Sequence, residues 1–111
     1  MLGFNLPWIF AHLIGDYLLQ NDWMAKNKKQ SHLICLLHIV TYMIPFLFVD
    51  INWLQFSLIS LQHYIQDRTM FVAWFCKITN KFQSGPGIFW GHIIVDNIFH
   101  ILWIAAVIHF L

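Results

Sequence analysis

Four apolar runs, at residues 6–19, 33–49, 53–65 with an extension at 70–78, and 88–111, occupy most of the chain, with short polar connections between them. Residues 20–31 hold Asn21, Asp22, Asn27 and three lysines, and residues 50–52 make a tight polar turn. The third connection ends in Gly85-Pro86-Gly87, which breaks one helix and starts another. The last run alone reaches the roughly 20 residues that cross a bilayer core of about 30 Å, and the others need their flanks to do so. The pattern predicts an all-α membrane protein, with four antiparallel transmembrane helices forming a bundle. A single transmembrane domain is expected over residues 1–111, with helices at about 5–24, 31–49, 53–72 extended as far as 79, and 88–110. Pro7 is placed in a first turn and Pro45 at a kink.

Charge supports the same solvent. Only 10% of the residues are charged, and the five acids are all Asp, too few to dress the water-facing surface of a soluble domain this small. The net charge of +1 and the lack of a basic stripe argue against a nucleic-acid partner. The basic residues Lys26, Lys28, Lys29, Arg68, Lys77 and Lys81 all fall on alternate connections. The positive-inside rule then puts both termini outside the cytoplasm. Trp8, Trp23, Trp53 and Trp74 lie near run ends, as interfacial anchors do. The first run lacks a basic leader and a small-residue cleavage motif, so it is not read as a removable signal. Cys35 and Cys76 are too few for a disulfide framework and are expected as buried thiols.

The costly feature of these helices is their ionisable content. A charged Asp at a bilayer centre costs about 2.5 to 3.5 kcal/mol unless a partner compensates. Partners stand one helical turn away: His12 with Asp16, His63 with Asp67, and Asp96 with His100 are each four residues apart, hence on one face. Counted inward from the basic side at about 1.5 Å per residue, Asp16, His38, His63 and Asp96 fall at about 11 to 14 Å, His12 and His100 at about 18 Å, and Asp67 at about 8 Å. All four helices thus contribute to one layer.

Facing imidazoles and carboxylates at such spacing build metal sites in helical bundles. The candidate ligands are His12, Asp16, His38, His63, Asp67, Asp96 and His100. Without thiolates among them, zinc is the first expectation, with Mn or Fe as alternatives. Seven groups suit either one ion with carboxylates orienting the histidines, or two ions about 3.5 to 4 Å apart that share a carboxylate. Interhelical hydrogen bonding that fastens the bundle is the plainer alternative for each pair. His92 is read as a gate, an orienting group or an interfacial residue, and His32 and His109 as interfacial and inert. Asp22 is read as a helix cap and Asp50 as a turn residue.

The stretch Ala11-His12-Leu13-Ile14-Gly15-Asp16-Tyr17-Leu18-Leu19-Gln20-Asn21-Asp22-Trp23-Met24-Ala25-Lys26-Asn27-Lys28, followed by Leu36-Leu37-His38 and His63-Tyr64-Ile65-Gln66-Asp67, resembles a bacterial and phage family of small integral membrane proteins, domain of unknown function 3307. That family's later Asp-Gln element is represented by Asp96-Asn97-Ile98-Phe99-His100, where Asn97 departs from Gln. The resemblance implies a membrane location, here the bacterial inner membrane, and marks these His and Asp as motif positions without giving an activity.

The functional expectation is a membrane-embedded, metal-dependent hydrolase acting on an ester or phosphoester at the cytoplasmic leaflet. Asp67 is the expected catalytic base, and Arg68 the expected holder of an anionic head group in a lipid or phosphoester substrate. A metal-ion or proton transporter is the rival, since His and Asp chains also relay ions through bilayers. A third reading is a non-catalytic phage membrane protein with a structural metal. Beyond the lipid bilayer and a substrate, the partner left open is a second copy in a homo-oligomer.

Overall fold

The computed structural model describes residues 2–3 and 5–111, which form an all-helical fold with no strand among the described residues. α1 (Trp8–Leu13) follows Pro7 and passes without a break into a π-helical turn, Ile14–Leu18. α2 (Asp22–Asn27) is started by Asn21, whose side chain accepts from the Met24 amide. Asn21 is therefore the cap expected at Asp22, which occupies the first turn instead. α3 (His32–Met43) is capped by Ser31, and Pro45 closes it into a 3₁₀ turn, Pro45–Phe48, as its missing N–H requires. α4 (Trp53–Arg68) opens with a capping box between Asn52 and Gln55. α5 (Phe71–Ile78) is separate from α4, because Thr69 is extended and breaks the helix. α6 (Ile88–Phe110) is continuous for 23 residues.

The four-span expectation needs correction. Among the described residues only α6 is long and apolar enough to cross a membrane, and α3 with its 3₁₀ turn, His32–Phe48, is a shorter apolar helix. The first predicted helix stops at Leu18 where the π turn ends, and the third stops at Arg68. The side chains of Asn21 and Thr69 pair with backbone groups at these points, so flanks counted toward spans became turns or the independent helices α2 and α5.

The chain alternates between two ends. At one, Leu2 and Leu6 donate backbone hydrogen bonds to Leu47 and Phe48. At the other, Lys29 Nζ binds the carbonyls of Asp67 and Thr69, and Arg68 binds the carbonyl of Lys29, so α2 is tied to the end of α4. Phe99 of α6 meets the rings of Phe71 and Phe75, which seats α5. Two apolar clusters result, one including Tyr42, Phe46, Ile59, Ile104 and Val107, the other Val72, Cys76 and Val95. Along α4 and α6 a polar layer separates them. Both cysteines are buried and free.

Gly15 permits the closest approach in this packing. A Cβ there would lie 2.6 Å from the Tyr42 carbonyl oxygen and 2.7 Å from its ring, so any side chain would push α1 off α3.

Candidate metal centre

Asp67 lies at the middle of the polar layer and is fully buried. Its Oδ2 is 2.9 Å from His38 Nε2, 3.0 Å from His63 Nε2 and 2.9 Å from Lys28 Nζ. Its Oδ1 is 3.1 Å from His100 Nε2. The two nitrogens that face Oδ2 are themselves 3.0 Å apart. Protons do not pair this triangle well, because two N–H groups donating to one oxygen would face each other.

Asp16 closes the figure. Its Oδ1 is 3.6 Å from His38 Nε2 and 3.7 Å from His63 Nε2, is buried, and has no hydrogen-bond partner among the described residues. One ligand atom from each of Asp16, His38, His63 and Asp67 falls within 4.8 Å of the others. A tetrahedral ion with bonds of about 2.0 to 2.1 Å requires ligand separations of about 3.3 to 3.4 Å, in the middle of the distances found here. This buried His and Asp group could hold a metal ion, and the orphaned Asp16 oxygen fits that use.

Local structure explains these positions. His63 and Asp67 share a face of regular helix, as the four-residue spacing predicted. Asp16 sits on the π turn, where Leu19 N–H bonds Ile14 carbonyl and the widened backbone carries the carboxylate away from the His12 face. His63 is held between two rings, Tyr42 at 3.7 Å and His100 at 3.8 Å between centroids, both nearly parallel to it.

His12 is buried in the same layer but outside the ligand group. Its Nε2–H donates to Asn97 Oδ1 at 2.5 Å, and its Nδ1 accepts from the Tyr42 hydroxyl at 2.7 Å, which leaves no lone pair for an ion. Expected as a ligand, it instead touches the group through Tyr42, which stacks on His63. Asp96 and His100 stand beside the group, with Asp96 Oδ2 3.5 Å from His100 Nε2. Asp67, expected as the base, is enclosed by three histidines and a lysine and belongs to the group that could hold an ion. Arg68 turns away from the layer toward the Lys29 carbonyl and His32, and the head-group role expected for it has no support in this placement. His32 is hydrogen-bonded to the Tyr64 hydroxyl and stacked on its ring, so it is engaged where an inert residue was expected. His92 Nε2–H donates to the Phe82 carbonyl at 3.2 Å.

A cavity of about 480 Å³ opens onto this layer from the basic end. Asp16, Asp96, Lys28 and His92 supply its polar lining, and Tyr17 and Trp90 part of its apolar wall. Burial by itself would lower the pKa of Lys28, but the carboxylates of Asp67, Asp16 and Asp96 and the bond to Asp67 outweigh this and raise it above the ordinary lysine value. Lys28 is thus a fixed cation beside the group, held also by Gln20 Oε1 at 3.0 Å. Lys29, whose desolvation by burial dominates, is shifted the other way.

Lys28, Tyr42, Asn97, Gln62 and Gln66 are the participants that sequence reasoning missed. Gln62 and Gln66 carried a readable signal: each directly precedes a motif residue, His63 or Asp67, and they repeat the four-residue spacing on α4.

No curated protein and no solved structure matches this chain. The model of the family described as "Protein of unknown function (DUF3307)" matches residues 5–111. With that match covering essentially the whole chain, the protein belongs to this family.

Proposed function

We propose that this protein is a membrane-embedded, zinc-dependent hydrolase of an ester or phosphoester, working at the cytoplasmic face of the bacterial inner membrane. The observation that carries the reading is the buried group of Asp16, His38, His63 and Asp67, with an unpartnered carboxylate oxygen on Asp16, which lines a cavity of about 480 Å³. His38, His63, Asp67 and Asp16 would hold the ion. A bound zinc ion supplies an electrophile and lowers the pKa of a water to about 7. Around it, Asp67 pairs with the histidines and with Lys28, and the carboxylate of Asp96, outside the ligand group and on the cavity wall, stands where a proton from water can be received.

The membrane reading rests on α6 and on the exterior of its neighbours. Leu33, Leu36 and Val40 of α3 with Ile44 at its C-cap, and Ile94, Ile98 and Leu102 of α6, are all exposed, and both sets follow helical spacing. α1, α3 and α4 are short for a full bilayer and would be accommodated by local thinning. The basic end carries the positive charge and would face the cytoplasm, with both termini on the opposite side.

Hydrolysis is favoured over transport because the layer is backed by packed side chains. Tyr42, Phe46, Ile59, Ile104 and Val107 are almost fully buried on the side away from the cavity, and a conduit would have to part them. The test is turnover of nitrophenyl esters and phosphoesters by purified protein in mild detergent, before and after chelation. Activity lost on chelation and restored by zinc is expected. Zinc-loaded protein that turns over none of these compounds, yet passes ions through liposomes, would replace this reading with transport.

A further inference from the structure

The two sides of α5 have different surroundings. Val72 and Cys76 are buried in the cluster with Val95 of α6, whereas Met70 at the N-cap and Phe71, Trp74 and Ile78, three or four residues apart, are all exposed. Phe71 and Phe75, one turn apart, meet the same ring, Phe99, at 5.0 and 4.9 Å. Val72 and Cys76, each one residue further on, join Val95, a full turn earlier on α6. A full turn along α6 thus matches a single residue along α5, so α5 crosses α6 and does not run beside it. With α6 across a bilayer, α5 lies along the bilayer surface.

Charge around α5 has one sign. Between Asp67 and Asp96 the chain carries Arg68, Lys77 and Lys81 and no acid. Arg68 is engaged with the Lys29 carbonyl and His32, while Lys77 and Lys81 are exposed and their side chains join no ion pair among the described residues. The end of the helix brings these two lysines together. Asn80 takes a φ of 54°, its amide bonds the Lys77 carbonyl at 3.2 Å, and the Lys81 amide bonds the Cys76 carbonyl at 2.8 Å, which is the closure of a Schellman motif. Lys77 in the last turn and Lys81 just beyond it therefore stand at one end of the apolar face. Lys26 on α2, also exposed, differs in having Asp22 four residues before it.

We propose that the outer face of α5, with Lys77 and Lys81, is a docking surface for anionic phospholipids in the leaflet at the basic end of the molecule; the proposal rests on the membrane reading above. A helix with an apolar face and basic flanks sinks about 5 to 10 Å into the head-group boundary, with its rings among the upper acyl chains and its lysines at the phosphates. An anionic leaflet complements a basic segment without acids, and a neutral leaflet does not. A second copy of the chain fits this face less well, because four side chains fall short of the about 800 Å² per partner that a stable interface buries. Met70, Val72 and Ala73 also line the cavity of about 480 Å³, so the docked helix sets one wall of its mouth at head-group depth.

The experiment reconstitutes the full-length protein in phosphatidylcholine vesicles holding a trace of spin-labelled phosphatidylglycerol or spin-labelled phosphatidylcholine, and reads the immobilised lipid fraction by electron paramagnetic resonance. Wild type should prefer phosphatidylglycerol by about three- to five-fold. Lys77→Gln combined with Lys81→Gln should abolish the preference, and Lys26→Gln should leave it intact. In the same vesicles, the tryptophan emission that Trp74→Phe removes should be quenched by lipids brominated near the head group and not by lipids brominated at the chain ends. A preference that survives the double lysine variant, or Trp74 emission that neither brominated lipid quenches, overturns the proposal and leaves the membrane reading in place. Cross-linking of two chains through position 74 overturns it in favour of a second copy as the occupant. Protein that fails to float with the vesicles overturns the membrane reading and the proposal with it.

Discussion

The same sequence spacing has two outcomes in this molecule. His63 and Asp67 on α4, and His12 and Asp16 on α1, are both His and Asp four residues apart. On α4 the helix is regular and the pair meets at 3.0 Å, with both members in the ligand group. On α1 the backbone widens into a π turn directly after His12, and only Asp16 enters the group. His12 is turned instead toward Tyr42 and Asn97. Spacing selects residues for one layer, and backbone geometry then decides which of them join the group that could hold an ion and which pack around it.

The largest difference between the pairs should appear on truncation. If the group holds an ion, His63→Ala removes one of its two nitrogens, the one 3.0 Å from Asp67 Oδ2, and metal content measured after dialysis should fall to background. His12→Ala removes no ligand, and the same measurement should find the wild-type stoichiometry.

Next in size is Lys28→Met, which leaves the buried Asp67 carboxylate without its cation. Removing one partner of a buried pair costs about 3 to 5 kcal/mol, and the melting temperature of metal-free protein should drop accordingly. Because the Lys28 pKa is raised in the folded protein, its contribution is present in full below the unfolded lysine value of about 10.4 and is lost as pH climbs past the folded value. The gap between variant and wild type should therefore hold steady from neutral pH to about 9 and close only in strong alkali.

Gly15→Ala tests the α1 side of the comparison. The added methyl would meet the Tyr42 backbone, which is not a flexible neighbour, and should destabilise the fold by about 1 to 3 kcal/mol. Because Tyr42 also stacks on His63, metal affinity should fall as well. The His12→Ala change should be milder, lowering affinity by about 10 to 100-fold through the loosened Tyr42. Smallest of all is His109→Ala, at the far end of α6, expected within about 0.5 kcal/mol of wild type.

Much of this layer was legible because regular helices translate sequence distance into direction. The convergence of Asp16, His38, His63, Asp96 and His100 follows from counting along helices, and the capping at Ser31 and the turn at Pro45 follow from side-chain chemistry. The π turn was not legible, since nothing in Ile14-Gly15-Asp16-Tyr17-Leu18 distinguishes it from an α-helix except a glycine. Asp67 was counted as the shallowest group because α4 was assumed to continue into residues 69–72. Its end at Arg68, with α2 folded back over it, makes Asp67 the most enclosed carboxylate. Lys28 was read only as charge on a basic connection, because its meeting with Asp67 is a tertiary contact across 39 positions. The expected spans failed where polar flanks capped short helices in place of extending long ones.

The most direct test of the central claim, that this polar layer is a metal centre built on His38 and His63, is X-ray absorption spectroscopy of the zinc-loaded protein. The account predicts a shell of nitrogen and oxygen at about 2.0 to 2.1 Å with imidazole scattering and no sulfur. That shell should lose imidazole scattering in His63→Ala and keep it in His12→Ala. A shell containing sulfur from Cys35 or Cys76, or one unchanged by His63→Ala, would contradict it.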